Sequence, residues 1–128
     1  MSTQVETMNA QEVASRLVQF CREGKNAEAI NELYDDQAVS HEPEGSPMQA
    51  SVGKQAILDS TNHWYSTVKE IHSVDISDPI VSGNFFVCGM KIDATYKEHG
   101  RSMMDELCVY EVKDGKIVSQ QFFYQMGE

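Results

Sequence analysis

The hydrophobic pattern of the chain changes its period near Ser73, and this change constrains the fold more than any other feature of the sequence. Before Ser73, apolar residues recur at the three- and four-residue intervals that are typical of helices. After it, apolar and polar residues alternate, as they do in half-buried strands. Helices that precede a run of strands indicate an α+β fold, in which the helices pack on one face of an antiparallel sheet.

Three helices are predicted in the first part of the chain. Asn9 and Glu12 have the spacing of a capping box, and Asn26 is predicted to cap the second helix. A short extended segment, Ala38–His41, and a proline-containing loop separate the second helix from the third. The predicted helices cover about residues 9–23, 26–34 and 53–68.

Four strands are predicted after the change of period, and turn residues separate them. Asp114-Gly115 is a strong signal for a two-residue hairpin, so the last two strands are predicted to be antiparallel neighbours. The predicted strands are Val74–Val81, Phe85–Tyr96, Ser102–Val112 and Lys116–Met126.

Neither face of the predicted sheet is cleanly polar. Three helices can cover only one face, so the apolar residues of the other face need a second cover. These residues are Leu107, Val109, Ile117 and Phe123. The pattern therefore predicts a homodimer that forms through the outer face of the sheet.

Length, charge and cysteine content limit the partners and the location of the protein. The 128 residues fit a single domain over 1–128, with residues 1–8 as a flexible N-terminus. The net charge is −10 and the basic residues are scattered, which argues against nucleic acid and anionic membranes as partners. No apolar stretch approaches the length of about 20 residues that a membrane span needs. Three cysteines without a Cys-x-x-Cys motif indicate reduced thiols, so a cytoplasmic protein is predicted.

Acidic residues concentrate between Glu28 and Glu44, and within that stretch only His41 is available to balance them. An acidic rim of this kind repels anions and favours neutral or cationic ligands. The charge pattern therefore predicts a neutral rather than an acidic small molecule as the partner.

Three short segments carry a resemblance that covers about residues 9–126. They occur in the order Leu33–Pro43 (LYDDQAVSHEP), Gly53–Ile57 (GKQAI) and Asp114–Ile117 (DGKI). This set resembles the nuclear transport factor 2-like superfamily, and within it the SnoaL-like and ketosteroid-isomerase-like branch. The resemblance implies a cone-shaped, cystatin-like fold, in which a strongly curved antiparallel sheet wraps around three N-terminal helices and encloses a pocket. It also implies dimerisation through the outer sheet face.

The resemblance to ketosteroid isomerases also implies roles for particular positions. Those enzymes place a general-base carboxylate immediately before the proline of the loop that follows the second helix, and here that residue is Glu42. They use a tyrosine on the first helix and a protonated aspartate on the third strand to bind a developing oxyanion. Leu17 and Cys108 occupy these two positions, and Cys108 also replaces the aspartate that a SnoaL-like cyclase would need. Neither named activity is therefore transferred to this chain.

A pocket is predicted if the even-numbered face of the strands is the concave one. Its predicted residues are Glu42, Glu106, Tyr110, Gln120 and Tyr124, which would lie among Leu17, Phe20, Cys21, Trp64, Met90, Cys108 and Phe122. The pKa values of two carboxylates in an apolar cavity can be driven apart, so that one is an ionised base and the other a protonated acid. This predicts Glu42 and Glu106 as catalytic residues. A register shift of one residue would place Asp105 in the pocket, and either glutamate could instead be an ordinary solvated side chain.

Metal and thiol chemistry receive little support from the spacing of the residues. No second histidine lies at a spacing that suits metal ligation, so no metal site is predicted, and His41 or His63 is assigned at most a role as a proton carrier. Cys108 has no paired histidine, so it is interpreted as a buried structural thiol.

Two classes of function follow from these observations. The first is an isomerase, cyclase or hydrolase that needs no cofactor and acts on a small, neutral, apolar carbonyl compound by carboxylate acid/base chemistry. The second is a non-catalytic module that binds a hydrophobic ligand or a partner protein.

Overall fold

The computed structural model describes residues 8–43 and 50–124, which form three helices and one sheet of seven strands. The helices are α1 (Ala10–Arg22), α2 (Asn26–Leu33) and α3 (Lys54–Thr67). The strands are β1 (Tyr34–His41), β2 (Ser51–Val52), β3 (Val68–Ile76), β4 (Ile80–Ser82), β5 (Phe85–Tyr96), β6 (Gly100–Lys113) and β7 (Lys116–Phe123). The predicted flexible N-terminus and most of the proline-containing loop lie outside the described residues, although Met8 is described and packs against the core.

The capping box at the start of α1 is confirmed. The Asn9 side chain accepts a hydrogen bond from the Glu12 backbone N–H, and the Glu12 carboxylate accepts one from the Asn9 backbone N–H. The predicted cap on the second helix is wrong. Asn26 is the first helical residue, and Lys25 precedes it without a side-chain cap. Burial of Ala29, Ile30 and Leu33 against the rest of the core therefore stabilises α2 in place of a cap.

The α+β class with three helices is confirmed, and the sheet is curved, open and mixed. Its strands lie in the order β2-β1-β7-β6-β5-β3, with β4 paired to β5. The β1–β7 pair is parallel, whereas all other pairs in the described chain are antiparallel. The predicted segment Ala38–His41 is the second half of β1, which begins at Tyr34 because the backbone becomes extended directly after α2.

The first strand of the predicted meander is two strands with different bounds. β3 begins at Val68 rather than Val74, since the chain passes from α3 into extended backbone without a turn. It ends at Ile76, and residues 77–79 separate it from β4. Pro79 lies in this break and lacks the N–H that a continuous ladder requires. The earlier start of β3 extends the wall of the sheet beneath α3.

The predicted concave face of β6 is confirmed by burial. Cys108, Tyr110 and Val112 are buried, whereas Asp105 is exposed and lies opposite Lys91 on the outer face. An irregularity opposite Glu111 and Val112 places one extra residue in β7, so Ile117 pairs with Val112. Ile117 is therefore fully buried, and its predicted position on the outer face is wrong.

The core lies between the three helices and the inner face of the sheet. Its largest fully buried side chains come from all of these layers, and they include Val13 of α1, Leu33 of α2, Ile57 of α3 and Phe86 of β5. Among the described residues, no helix has the length and apolar character that a membrane span requires.

Candidate functional site

A cavity of about 550 Å³ lies between the helices and the inner face of the sheet. This volume suits a small organic molecule, and most of the wall is apolar or aromatic. The predicted pocket residues that line it are Leu17, Cys21, Glu42, Trp64, Met90, Glu106, Tyr110, Gln120, Phe122 and Tyr124. Glu106 rather than Asp105 faces the cavity, so the alternative that the sequence left open is resolved in favour of Glu106.

Two predicted pocket residues do not line the cavity. Phe20 is rotated by about 100° around the axis of α1 relative to Cys21, so its side chain lies outside the cavity. There the guanidinium carbon of Arg16 is 4.9 Å from the centroid of the Phe20 ring. Cys108 is fully buried directly opposite Cys88, behind the cavity wall. The hydrogen bond with Cys88, together with burial, raises the pKa of the Cys108 thiol well above its usual range. Its position supports the interpretation of Cys108 as a structural thiol.

Several lining residues were not predicted from the sequence. Ile71 and Val74 of β3 form part of the wall. Ile71 precedes the predicted start of that strand at Val74, which explains why the sequence did not indicate it. Tyr34 and Ser40 of β1 also face the cavity. The signal for Ser40 was present, because Ala38, Ser40 and Glu42 alternate along one face of an extended segment.

Glu42 lies where two neighbouring parallel strands end. It follows β1 directly, Tyr124 follows β7 directly, and the pairing of these strands brings the two side chains together. The Tyr124 hydroxyl donates a hydrogen bond of 2.9 Å to Glu42 Oε1. Burial raises the pKa of Glu42, and the hydrogen bond from Tyr124 partly opposes this because it favours the charged carboxylate.

Glu106 projects from the middle of β6 into the same cavity. Its carboxyl group has no hydrogen bond or ion pair with another side chain of the described chain. Burial, and next the negative charge of Glu42, raise the pKa of Glu106 to about 7. Glu42 therefore ionises first, and near neutral pH Glu106 is divided between its protonated and ionised forms.

A chain of buried hydrogen bonds connects β1 and β7 beside these carboxylates. The Tyr34 hydroxyl donates to Gln120 Oε1, and Gln120 Nε2 donates to Ser40 Oγ at 2.9 Å. Ser40 and Gln120 are partners in the parallel register of the two strands. Both side chains are buried, so the chain of bonds satisfies polar groups that would otherwise be costly to bury.

The acidic stretch is not the unbalanced rim that the sequence suggested. Lys54 Nζ is 3.5 Å from Asp36 Oδ1, and Arg16 forms an ion pair with Glu32. Lys116 Nζ also donates to the Glu32 backbone carbonyl. The interpretation that only His41 balances this stretch is wrong, because basic residues from other elements fold onto it.

The two histidines considered as proton carriers differ in position. His63 lines the cavity, whereas His41 is exposed and does not contribute to the lining. Within residues 8–43 and 50–124, no three His, Cys, Asp or Glu side chains come together as a set of metal ligands.

Comparison with known proteins gives consistent matches over nearly the whole chain. The sequence model of the SnoaL-like domain family matches residues 8–124. A solved structure from Mesorhizobium loti, named as a candidate SnoaL-like polyketide cyclase, is 34% identical, with a TM-score of 0.82 over 91% of this chain and 100% of that one. No curated protein sequence matches the chain.

Two further solved structures are similar at lower identity. A candidate isomerase from Bacillus subtilis is 27% identical, with a TM-score of 0.67 over 92% of this chain and 90% of that one. A protein from Xanthomonas campestris, described as having a cystatin-like fold, is 14% identical, with a TM-score of 0.77 over 93% of this chain and 92% of that one. The second of these supports the fold alone.

Proposed function

Because the chain belongs to the SnoaL-like domain family, we propose that it is a small-molecule enzyme that transfers protons on a neutral carbonyl compound. Glu42 acts as the base and Glu106 as the acid, and this chemistry requires no cofactor. The observation that carries the proposal is the presence of two carboxyl groups with raised and different pKa values in one apolar cavity. Relatives named as a cyclase and an isomerase are in keeping with this class of reaction.

The reaction begins when the Glu42 carboxylate takes a proton from the carbon next to the carbonyl group. The electron pair of that C–H bond moves towards the carbonyl oxygen and gives an enolate. Glu106 in its acid form then donates a proton to a carbon of the enolate, which restores the carbonyl group. Glu42 releases its proton to solvent, Glu106 takes one up, and the cycle is complete. Aromatic side chains such as Trp64 and Phe122 hold the apolar part of the substrate and exclude water.

The proposal is tested by deuterium exchange of 2-tetralone in D₂O, followed by proton NMR. The wild-type protein is expected to exchange the α-protons faster than buffer does. Glu42→Gln is expected to abolish this excess rate, and Glu106→Gln to reduce it strongly, while both variants stay folded by circular dichroism. Asp105→Asn is the matched control because Asp105 lies next to Glu106 on the exposed face. A variant that exchanges as fast as wild type would contradict the role of the residue replaced.

A second candidate is a module that binds a hydrophobic ligand without catalysis. The observation that favours it is the presence of Leu17 and Cys108 at the two positions where the family's ketosteroid isomerases carry oxyanion donors. Native mass spectrometry of the purified protein distinguishes the two candidates when it is combined with the exchange assay. A bound apolar compound, with no exchange of enolisable ketones and no turnover of lactones or epoxides, would favour the binding module.

The outer sheet face supports association with a second copy of the chain. Phe85, Leu107 and Phe123 are each about half exposed, and they lie on the neighbouring strands β5, β6 and β7. Leu107 is directly opposite Phe123 in the register, so the apolar surface continues from β6 to β7. Lys91 and Asp105 are exposed beside this surface. In a two-fold symmetric dimer, each of these charged residues can pair with the oppositely charged residue of the second copy. Sedimentation equilibrium at tens of micromolar tests the dimer, and a monomer there would refute it.

A further inference from the structure

We propose that the Ser40 hydroxyl donates the hydrogen bond that binds the substrate carbonyl oxygen and stabilises the negative charge that develops on it. This inference deepens the proposed function and rests on it. It also supplies the donor that is missing at Leu17 and Cys108, the positions that the family resemblance would have used.

The direction of the buried hydrogen bonds leaves one donor for the cavity. Tyr34 donates its hydroxyl hydrogen to Gln120 Oε1, so the amide nitrogen of Gln120 is the end that faces Ser40. Gln120 Nε2 donates to Ser40 Oγ, and Ser40 therefore acts as acceptor in this bond. A serine hydroxyl has one hydrogen of its own to donate. No acceptor in the described chain takes that hydrogen, and Ser40 lines the cavity.

The burial of this group favours a role beyond packing. Ser40 and Gln120 are the buried polar side chains of the described core, and their burial costs free energy unless every polar group is paired. A donor that is fixed in a water-poor site acts more strongly on a developing charge than one in water, since it needs no reorganisation. The hydrogen bonds from Tyr34 to Gln120 and from Gln120 to Ser40 make the Ser40 hydroxyl a stronger donor, because linked hydrogen bonds polarise one another.

The position of Ser40 relative to Glu42 suits a single substrate. The two residues are two positions apart along one extended segment, so their side chains lie on the same face, with Cα atoms about 6.6 Å apart at the rise of an extended strand. The α-carbon and the oxygen of a carbonyl compound are separated by two bonds. Glu42 can therefore reach the α-proton while Ser40 contacts the oxygen.

Other hydroxyl groups of the cavity are less suitable donors. The Tyr124 hydroxyl donates to Glu42. Tyr110 lines the cavity from β6, two strands away from β1 and Glu42, and Tyr110→Phe is included as a competing variant. Tyr65 of α3 is half-buried and also lines the cavity, but it belongs to a different layer from Glu42. Tyr65→Phe is therefore a second competing variant in the test.

The first experiment measures kcat and KM for deuterium exchange of 2-tetralone. Ser40→Ala is expected to lower kcat by about 10²- to 10³-fold, as loss of one oxyanion donor does, and to change KM by less than about threefold. A purely structural role would instead lower the melting temperature and leave kcat of the folded protein nearly unchanged. Ser119→Ala is the matched control, since Ser119 is next to Gln120 on β7 and does not line the cavity. Retention of kcat in Ser40→Ala, or loss of kcat in Tyr65→Phe or Tyr110→Phe with Ser40→Ala unaffected, would overturn the inference.

The second experiment separates the inference from the proposed function. 4-Nitrophenol carries its negative charge on oxygen when ionised, as an enolate does, and the bound phenolate is measured by its absorbance. Titration uses the double variant Glu42→Gln/Glu106→Gln as the parent, because it lacks both cavity carboxylates, which would repel an anion, and keeps Ser40. Adding Ser40→Ala is expected to weaken phenolate binding at least tenfold, whereas adding Ser119→Ala leaves it unchanged. Equal binding by all three proteins, or no binding by the parent, would overturn the assignment of Ser40. A wild type without exchange activity would overturn the proposed function instead.

Discussion

Glu106→Gln is expected to stabilise the protein at pH 8 and to leave its stability unchanged at pH 4. The pKa of Glu106 is raised from 4.5 to about 7, chiefly by burial and then by the charge of Glu42. Between these two values the unfolded chain has released the proton and the folded chain still holds it. Wild-type stability therefore falls as the pH rises through this window and stays at the lower level above it. This shift in pKa corresponds to a loss of about 3 kcal/mol of folding stability at most, because solvent in the cavity screens part of the electrostatic effect.

The measurement is urea unfolding at pH 4, 6 and 8, followed by the fluorescence of Trp64, the one tryptophan of the chain. Protein concentration is held constant so that any association contributes equally. The gain of Glu106→Gln over wild type should be near zero at pH 4 and largest at pH 8. Asp105→Asn removes an exposed carboxylate from the same strand and should change stability by less than about 0.5 kcal/mol at each pH. Equal stability of Glu106→Gln and wild type at pH 8, or an equal gain at pH 4 and pH 8, would refute the reasoning.

Three further predictions concern the pH profile, the base and the outer face. The kcat/KM for exchange of 2-tetralone should rise as Glu42 ionises and fall above about pH 7 as Glu106 loses its proton, and a flat profile would contradict the pair. Tyr124→Phe removes the hydrogen bond that favours ionised Glu42, so the pKa of Glu42 should rise in an NMR titration of the labelled carboxyl carbon. Leu107→Glu puts a charge on the outer apolar surface and should give a monomer in sedimentation equilibrium, whereas an unchanged mass would count against the proposed interface.

Local signals in the sequence predicted the helices and the longer strands with little error. The capping box at Asn9 and the Asp114-Gly115 turn depend on neighbouring residues, and both end up where the local pattern placed them. The sequence does not indicate the start of β3, because Val68 follows the last residue of α3 directly. No Gly or Pro marks the change from helix to strand. Ile117 was assigned to the wrong face because an irregularity in β7 interrupts the strict alternation. Such an irregularity depends on pairing with β6, which a single strand does not reveal.

The candidate site could be predicted only in part, because its residues meet through long-range pairing. Alternation along β6 put Glu106 and Asp105 on opposite faces but left open which of them faces the cavity, and the family resemblance identified Glu42. The partner of Glu42 and the bonds of Ser40 depend on β1 lying beside β7, which no local pattern indicates. The charge balance of the acidic stretch could not be predicted for the same reason. Lys54 and Arg16, which pair with Asp36 and Glu32, belong to other elements of the fold.

The parallel pairing of β1 with β7 also determines when the site can form during synthesis. Tyr34 donates a hydrogen bond to a residue 86 positions later in the chain, and Ser40 and Glu42 accept hydrogen bonds from residues 80 and 82 positions later. A growing chain can therefore complete its helices and the β5–β6 hairpin before any of these bonds is possible, and contacts of such sequence separation form slowly. A chain that ends before Lys116 would still contain both carboxylates but would lack the strand that orients them. Ligand binding by the newly made protein is thus expected only after its last strand has been released.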